Sequence, residues 1–159
     1  PVILLPPQVG GCGVKTRVLF LCTGNSCRSQ MAEGWARHLQ ADVLEAASAG
    51  IEAHGLNPLA VAVMAEAGVD ISSHRSQTLD QLVNQMTDLH FDLVVTVCDN
   101  AAQNCPVFPG RARMLHQPFD DPPRLAADAA TEEEALAPYR RVRDEIRVFV
   151  ETLPESLAP

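Results

Sequence analysis

Two short apolar runs set the frame of this chain. Arg17-Val-Leu-Phe-Leu21 and Phe91-Asp-Leu-Val-Val-Thr-Val97 are apolar or β-branched apart from Arg17 and Asp92, and each stops at a cysteine, Cys22 and Cys98. A strand without polar alternation has to be covered on both faces. That is the situation of strands in a parallel sheet flanked by helices. Helical patterns lie between and after the runs. Met31, Trp35 and Leu39 recur every four residues beside Ala32 and Ala36, which is one face of a helix. Asn57-Pro58 is an N-cap followed by proline at the first helical position, and Leu59, Ala62, Val63 and Ala67 make an apolar face that Gly68 ends. Val43–Ala49 reads as a second strand, Arg111–Leu115 as a weaker fourth, and Leu79–Met86 as a short helix. Thr131-Glu-Glu-Glu134 has capping-box spacing, and Leu136, Tyr139, Val142, Ile146, Phe149 and Leu153 follow at intervals of three and four. Pro138 predicts that this last helix is kinked or begins there.

Alternation of strands and helices predicts an α/β fold around a parallel sheet, and ligands of such sheets bind beyond the carboxyl ends of the strands. Cys22 and Cys98 therefore belong on the same edge. The length of 159 residues suits one domain. Residues 1–15 read as a Pro/Gly-rich extension and 16–159 as the domain. A net charge of −8 argues against nucleic-acid and anionic-membrane partners, so any anionic ligand must be held by local geometry. The longest apolar runs fall far short of the ~18 residues of a membrane span. No export signal is visible, so the expected compartment is the reducing cytoplasm. There the five cysteines are reactive, metal-bound or buried in preference to disulfide-bonded.

Cys22-Thr-Gly-Asn-Ser-Cys27-Arg28-Ser29 is polar, is delivered by a strand and leads into a helix. The backbone N–H groups of Thr23, Gly24, Asn25, Ser26 and Cys27 can line a nest for a tetrahedral oxyanion, aided by the helix N-terminus. The guanidinium of Arg28 grips two oxygens as a fork. The same donors are expected to lower the pKa of Cys22, with Ser29 adding a hydrogen bond to its sulfur, so that Cys22 is a nucleophile beneath the anion. Cys27 is expected to pack under the loop, and Cys12 lies in the extension. Cys98 and Cys105 flank a Pro/Asn-rich stretch. If it folds over the oxyanion loop, Cys98 can attack an adduct on Cys22 and Cys105 can then attack the resulting disulfide. Two buried structural cysteines or a zinc site are the alternatives, and the Cys-x4-Cys and Cys-x6-Cys spacings do not suit zinc.

Cys22–Trp35 (CTGNSCRSQMAEGW) resembles the phosphate-loop signature of thioredoxin-coupled arsenate reductases, which share the fold of low-molecular-weight protein tyrosine phosphatases. The similarity continues through Ser48–Pro58, Asp92–Pro106, Phe119–Pro122 and Arg140–Ile146. It implies a three-layer sandwich with a central four-stranded parallel sheet, and reduction of arsenate to arsenite with thioredoxin as partner and reductant. It also implies that Cys22, Cys98 and Cys105 form the redox relay, that Asp121 (or, one residue away, Asp120) is the general acid, and that the enzyme is a monomer with no tightly bound cofactor. A potassium ion beside the loop would take Asn25, Glu33 and Ser48 as ligands. Gln77 stands where the family has an aspartate, which weakens that expectation. A low-molecular-weight phosphatase is the alternative, since it needs Cys22, Arg28 and Asp121 but neither Cys98 nor Cys105. Pro123-Arg124 replaces the Tyr that such phosphatases place after the Asp-Pro pair.

Overall fold

A computed structural model describes residues 15–86, 90–98 and 111–153. The elements, in chain order, are β1 (Thr16–Cys22), α1 (Arg28–Leu39), β2 (Leu44–Gly50), α2 (Pro58–Glu66), α3 (Leu79–Gln85), β3 (Leu93–Thr96), β4 (Arg113–His116), α4 (Pro122–Leu125) and α5 (Glu132–Glu151). The strands form one parallel sheet in the order β2-β1-β3-β4.

Each β1 residue serves one of two cores. Val18, Phe20 and Cys22 face a larger cluster with Met31 and Trp35 of α1, Ala60, Val63 and Met64 of α2, and Tyr139, Val142, Ile146 and Val150 of α5. Leu19 and Leu21 face a smaller cluster with Ala49, Leu82 of α3, Phe91 and Val94. Residues 18–21 are fully buried, which is why this strand shows no polar alternation. The result is the expected α/β fold with helices on both faces of a parallel sheet.

Boundaries moved where local signals were weak. The second strand starts at Leu44 and reaches Gly50; the third keeps only Leu93–Thr96; the fourth sits two residues later than its predicted start. The capping box lies at Thr78 and Gln81, each binding the other's backbone N–H, and launches α3. At Thr131 the side chain caps α5 by accepting from the Glu134 N–H. Pro138 is inside α5, and the helix runs through it from Glu132. Packing of the Leu136, Tyr139, Val142, Ile146 and Val150 stripe outweighs one missing intrahelical hydrogen bond. The four-residue α4 at Pro122–Leu125 was not expected.

Central β1 sends the chain through α1 to β2 on one side, while β3 pairs on the other. The crevice between such diverging connections is the ligand position of an open parallel sheet. Leu21 is in register with Thr96, and the Val97 N–H donates to the Leu21 carbonyl at 2.9 Å. Cys22 and Cys98 thus leave neighbouring strands at the same edge.

Candidate active site

The Cys22–Cys27 loop is held from behind by its carbonyls. Thr23, Gly24 and Ser26 accept from the N–H groups of Glu52, His54 and Asn57 at 3.0, 2.9 and 3.0 Å. The Asn25 carbonyl accepts from Gln30 Nε2 at 3.2 Å. Because each trans peptide is planar, its N–H points opposite to its C=O. Four carbonyls anchored in the scaffold therefore turn the N–H groups of Gly24, Asn25, Ser26 and Cys27 the other way, the arrangement an anion nest requires.

Asn25 locks the turn. Its φ of +48° lies in the left-handed region, which Asn tolerates better than most residues. Its buried side chain donates to Ser29 Oγ (2.8 Å) and Ser48 Oγ (3.0 Å). Its Oδ1 accepts from the Gln77 N–H (2.8 Å) and Gln30 Nε2 (3.1 Å). Gly50 must be glycine for this loop to sit down: a Cβ there would fall within 2.8–2.9 Å of the Glu52 and Thr23 carbonyls and the Asn25 nitrogen.

The front of the loop opens into a pocket of ≈ 540 Å³ that brings together Cys22, Arg28, Cys98 and Asp121, and His54 and Asn57 line it as well. Cys22 and Cys98 are buried free thiols that line this pocket together. Thr23 Oγ1 donates to the Cys98 sulfur at 3.8 Å. Arg28 is only 7% exposed, and its NH1 donates to the Phe119 carbonyl at 3.1 Å. Its NH2 lies 3.7 Å from Asp121 Oδ1. Asp120 instead pairs with Arg141 on the surface at 3.0 Å and does not line the pocket. Of the two adjacent acids, Asp121 is the one that faces the thiols.

The electrostatics of Cys22 reverse the sequence expectation. Contact with the Cys98 sulfur, and then burial, raise its pKa well above the ordinary thiol value; the Arg28 charge and the Thr23 N–H oppose this. What sequence reasoning lacked was the second buried thiol beside it in the pocket. Ser29 accepts from Asn25, and among the described residues the partners of Cys22 are Cys98 and Thr23. Cys27 packs into the larger core beneath the loop as expected, and burial pushes its thiol far up. Cys105 and Cys12 lie outside the described residues.

Residues 17–158 match the low molecular weight phosphotyrosine protein phosphatase family. The chain belongs to that family. An arsenate reductase of Halalkalibacterium halodurans is 50% identical over 142 residues, covering 89% of this chain and 97% of its own. The arsenate reductase of Bacillus subtilis is 51% identical over 140 residues, covering 85% and 95%. A solved structure of an arsenate reductase in the phosphate-binding state superposes with a TM-score of 0.69 at 29% identity, over 90% of this chain and 99% of its own.

Asn25, Glu33, Ser48 and Gln77, the potassium positions implied by the resemblance, do come together in this member of the phosphatase family. They are already satisfied by one another. Ser48 Oγ donates to Glu33 Oε1 at 2.6 Å, and Gln77 Nε2 donates to the Ser48 carbonyl at 3.0 Å. Arg37 pairs with the second Glu33 oxygen at 2.8 Å. N–H donors face the oxygens a cation would need, so the donor set does not fit a cation. Among the described residues no other His/Cys/Asp/Glu cluster suits a metal, and no helix is long and apolar enough to cross a membrane. The residues that sequence reasoning missed are Glu52, His54 and Asn57, whose backbone N–H groups orient the loop. The Asn57-Pro58 cap and the resemblance through Ser48–Pro58 signalled that segment without giving it this role.

Proposed function

We propose that this protein is a thioredoxin-dependent arsenate reductase of the reducing cytoplasm. What carries the reading is that two buried thiols, Cys22 and Cys98, line the oxyanion pocket together, because hydrolysis of a phosphate ester needs one thiol and not two. Arsenate sits in the loop on the N–H groups and Arg28. An arsenate oxygen takes the Cys22 proton, which suits a thiol held high in pKa. The Cys22 sulfur bonds to As(V) while Asp121 protonates the leaving hydroxyl, which departs as water. Cys98 then attacks the Cys22 sulfur. The S–As electron pair stays on arsenic and the Cys98 proton passes to an arsenic oxygen, so arsenite, As(III), leaves and two thiols have become one disulfide. Cys105 attacks the Cys98 sulfur, Cys22 leaves as a thiol, and thioredoxin reduces the Cys98–Cys105 disulfide by the same exchange. Arsenite production that requires thioredoxin, thioredoxin reductase and NADPH is the test. Hydrolysis of phosphotyrosine peptides without arsenate reduction would overturn the reading in favour of a phosphatase.

The general acid can be separated from its neighbour. Asp121→Asn should lower arsenate reduction, and slow hydrolysis of an activated aryl phosphate, by about 100-fold. Asp120→Asn removes an exposed ion pair and should change either rate less than about twofold. The reverse pattern in initial rates would move the acid to Asp120.

Potassium should matter little. The Gln77 amide already donates where the ion would bind, so replacing sodium by potassium at constant ionic strength should leave Tm within about 1 °C and the rate within about twofold. A potassium-specific rise in Tm that saturates in the millimolar range would show a working cation site.

A further inference from the structure

Asn57 ties two helices, α2 and α5, to the oxyanion loop. Its N–H donates to the Ser26 carbonyl at 3.0 Å. Its Oδ1 caps α2 by accepting from Leu59 N–H at 2.8 Å and Ala60 N–H at 3.4 Å. Its Nδ2 donates to Tyr139 Oη at 3.0 Å. Tyr139 lies on α5, is 3% exposed and otherwise packs in the larger core. None of the steps above uses this phenol, yet a buried tyrosine hydroxyl needs a partner, and the partner here lines the pocket.

We propose that Tyr139 is a positioning residue for the oxyanion loop, acting through Asn57; the inference rests on the oxyanion reading of the pocket. The cap fixes one end of the Asn57 amide and the phenol fixes the other, so the residue cannot turn about its side-chain bonds. Its backbone N–H then holds the Ser26 carbonyl, and the planarity of that peptide aims the Cys27 N–H toward the anion. Burial keeps the phenol neutral at working pH, so its role is that of a fixed hydrogen-bond partner. Loss of the hydroxyl frees the amide and blurs the nest without touching Cys22, Cys98 or Asp121. Ground-state and transition-state binding of the oxyanion should weaken together.

The test uses inorganic phosphate as probe, read by its protection of Cys22 against iodoacetamide, together with arsenate kinetics. Tyr139→Phe should weaken phosphate binding about fivefold and raise KM for arsenate by a similar factor, with kcat changed less than about twofold. Asn57→Ser keeps a capping oxygen but loses the amide donor. It should weaken phosphate binding at least as much, and in that background Tyr139→Phe should add nothing. Unchanged phosphate binding in Tyr139→Phe, a loss confined to kcat, or single effects that multiply in the double variant would each overturn the proposal. Failure of the wild-type protein to bind phosphate would overturn the oxyanion reading itself, and this inference with it.

Discussion

A Cys22→Ser protein should fold, bind phosphate and produce arsenite at less than about one-thousandth of the wild-type rate. The loop does not depend on the sulfur for its shape. Its carbonyls are held by Glu52, His54, Asn57 and Gln30, and its turn by Asn25. Replacing a thiol by a hydroxyl leaves those bonds in place and keeps the side-chain volume close. What disappears is a sulfur nucleophile that can give up its proton to the bound oxyanion and an atom that can enter a disulfide. The expected pair of results is near-native Tm and phosphate affinity beside absent turnover, followed by arsenite assay over hours. A folded Cys22→Ser protein with more than a few per cent of the rate would remove Cys22 as the attacking group.

The other large effect concerns the order of the thiols. Cys98→Ser should stop at the arsenic adduct on Cys22 and release almost no arsenite with thioredoxin as sole reductant. Cys105→Ser should release about one arsenite per molecule and then stall with a Cys22–Cys98 disulfide, since nothing remains to pass the oxidation on. Peptide mapping of the stalled protein reads the pairing directly. Multiple turnover by Cys105→Ser, or a Cys22–Cys27 bond in the trapped form, would break the proposed order. The sign of the Cys22 pKa shift gives an independent check. Its largest cause is contact with the Cys98 sulfur, which raises it. A serine at 98 does not ionise in the same range, so the folded-state pKa of Cys22 should fall. The pH midpoint for alkylation of Cys22 should therefore move lower in Cys98→Ser than in wild type. A midpoint that stayed or rose would mean that burial alone sets it.

Much of this arrangement was legible in one dimension. The doubly covered strand is written in Val18–Leu21, because burial on both faces removes the need for polar alternation. The edge shared by Cys22 and Cys98 followed from parallel strands each ending at a cysteine. The oxyanion loop was legible because Gly24, Asn25 and Arg28 have conformational and charge preferences that act over a few residues. Helix bounds near Pro138 were misjudged because propensity is local, whereas the stripe from Leu136 to Val150 gains its stability from packing on α1 and α2.

The residues themselves thus determined the fold class, the loop that leads from Cys22 to Arg28 and the sheet edge that Cys22 and Cys98 share, since each depends on side-chain chemistry or on short-range pattern. Tertiary structure decided what depends on distance between remote segments. It set Asp121 against Arg28 while Asp120 turned to Arg141. It brought Gln77 against Ser48, and Asn57 between Ser26 and Tyr139. It also reversed the expected shift of Cys22, because the field at a buried sulfur is summed over neighbours 76 residues away in the chain as readily as over its own loop.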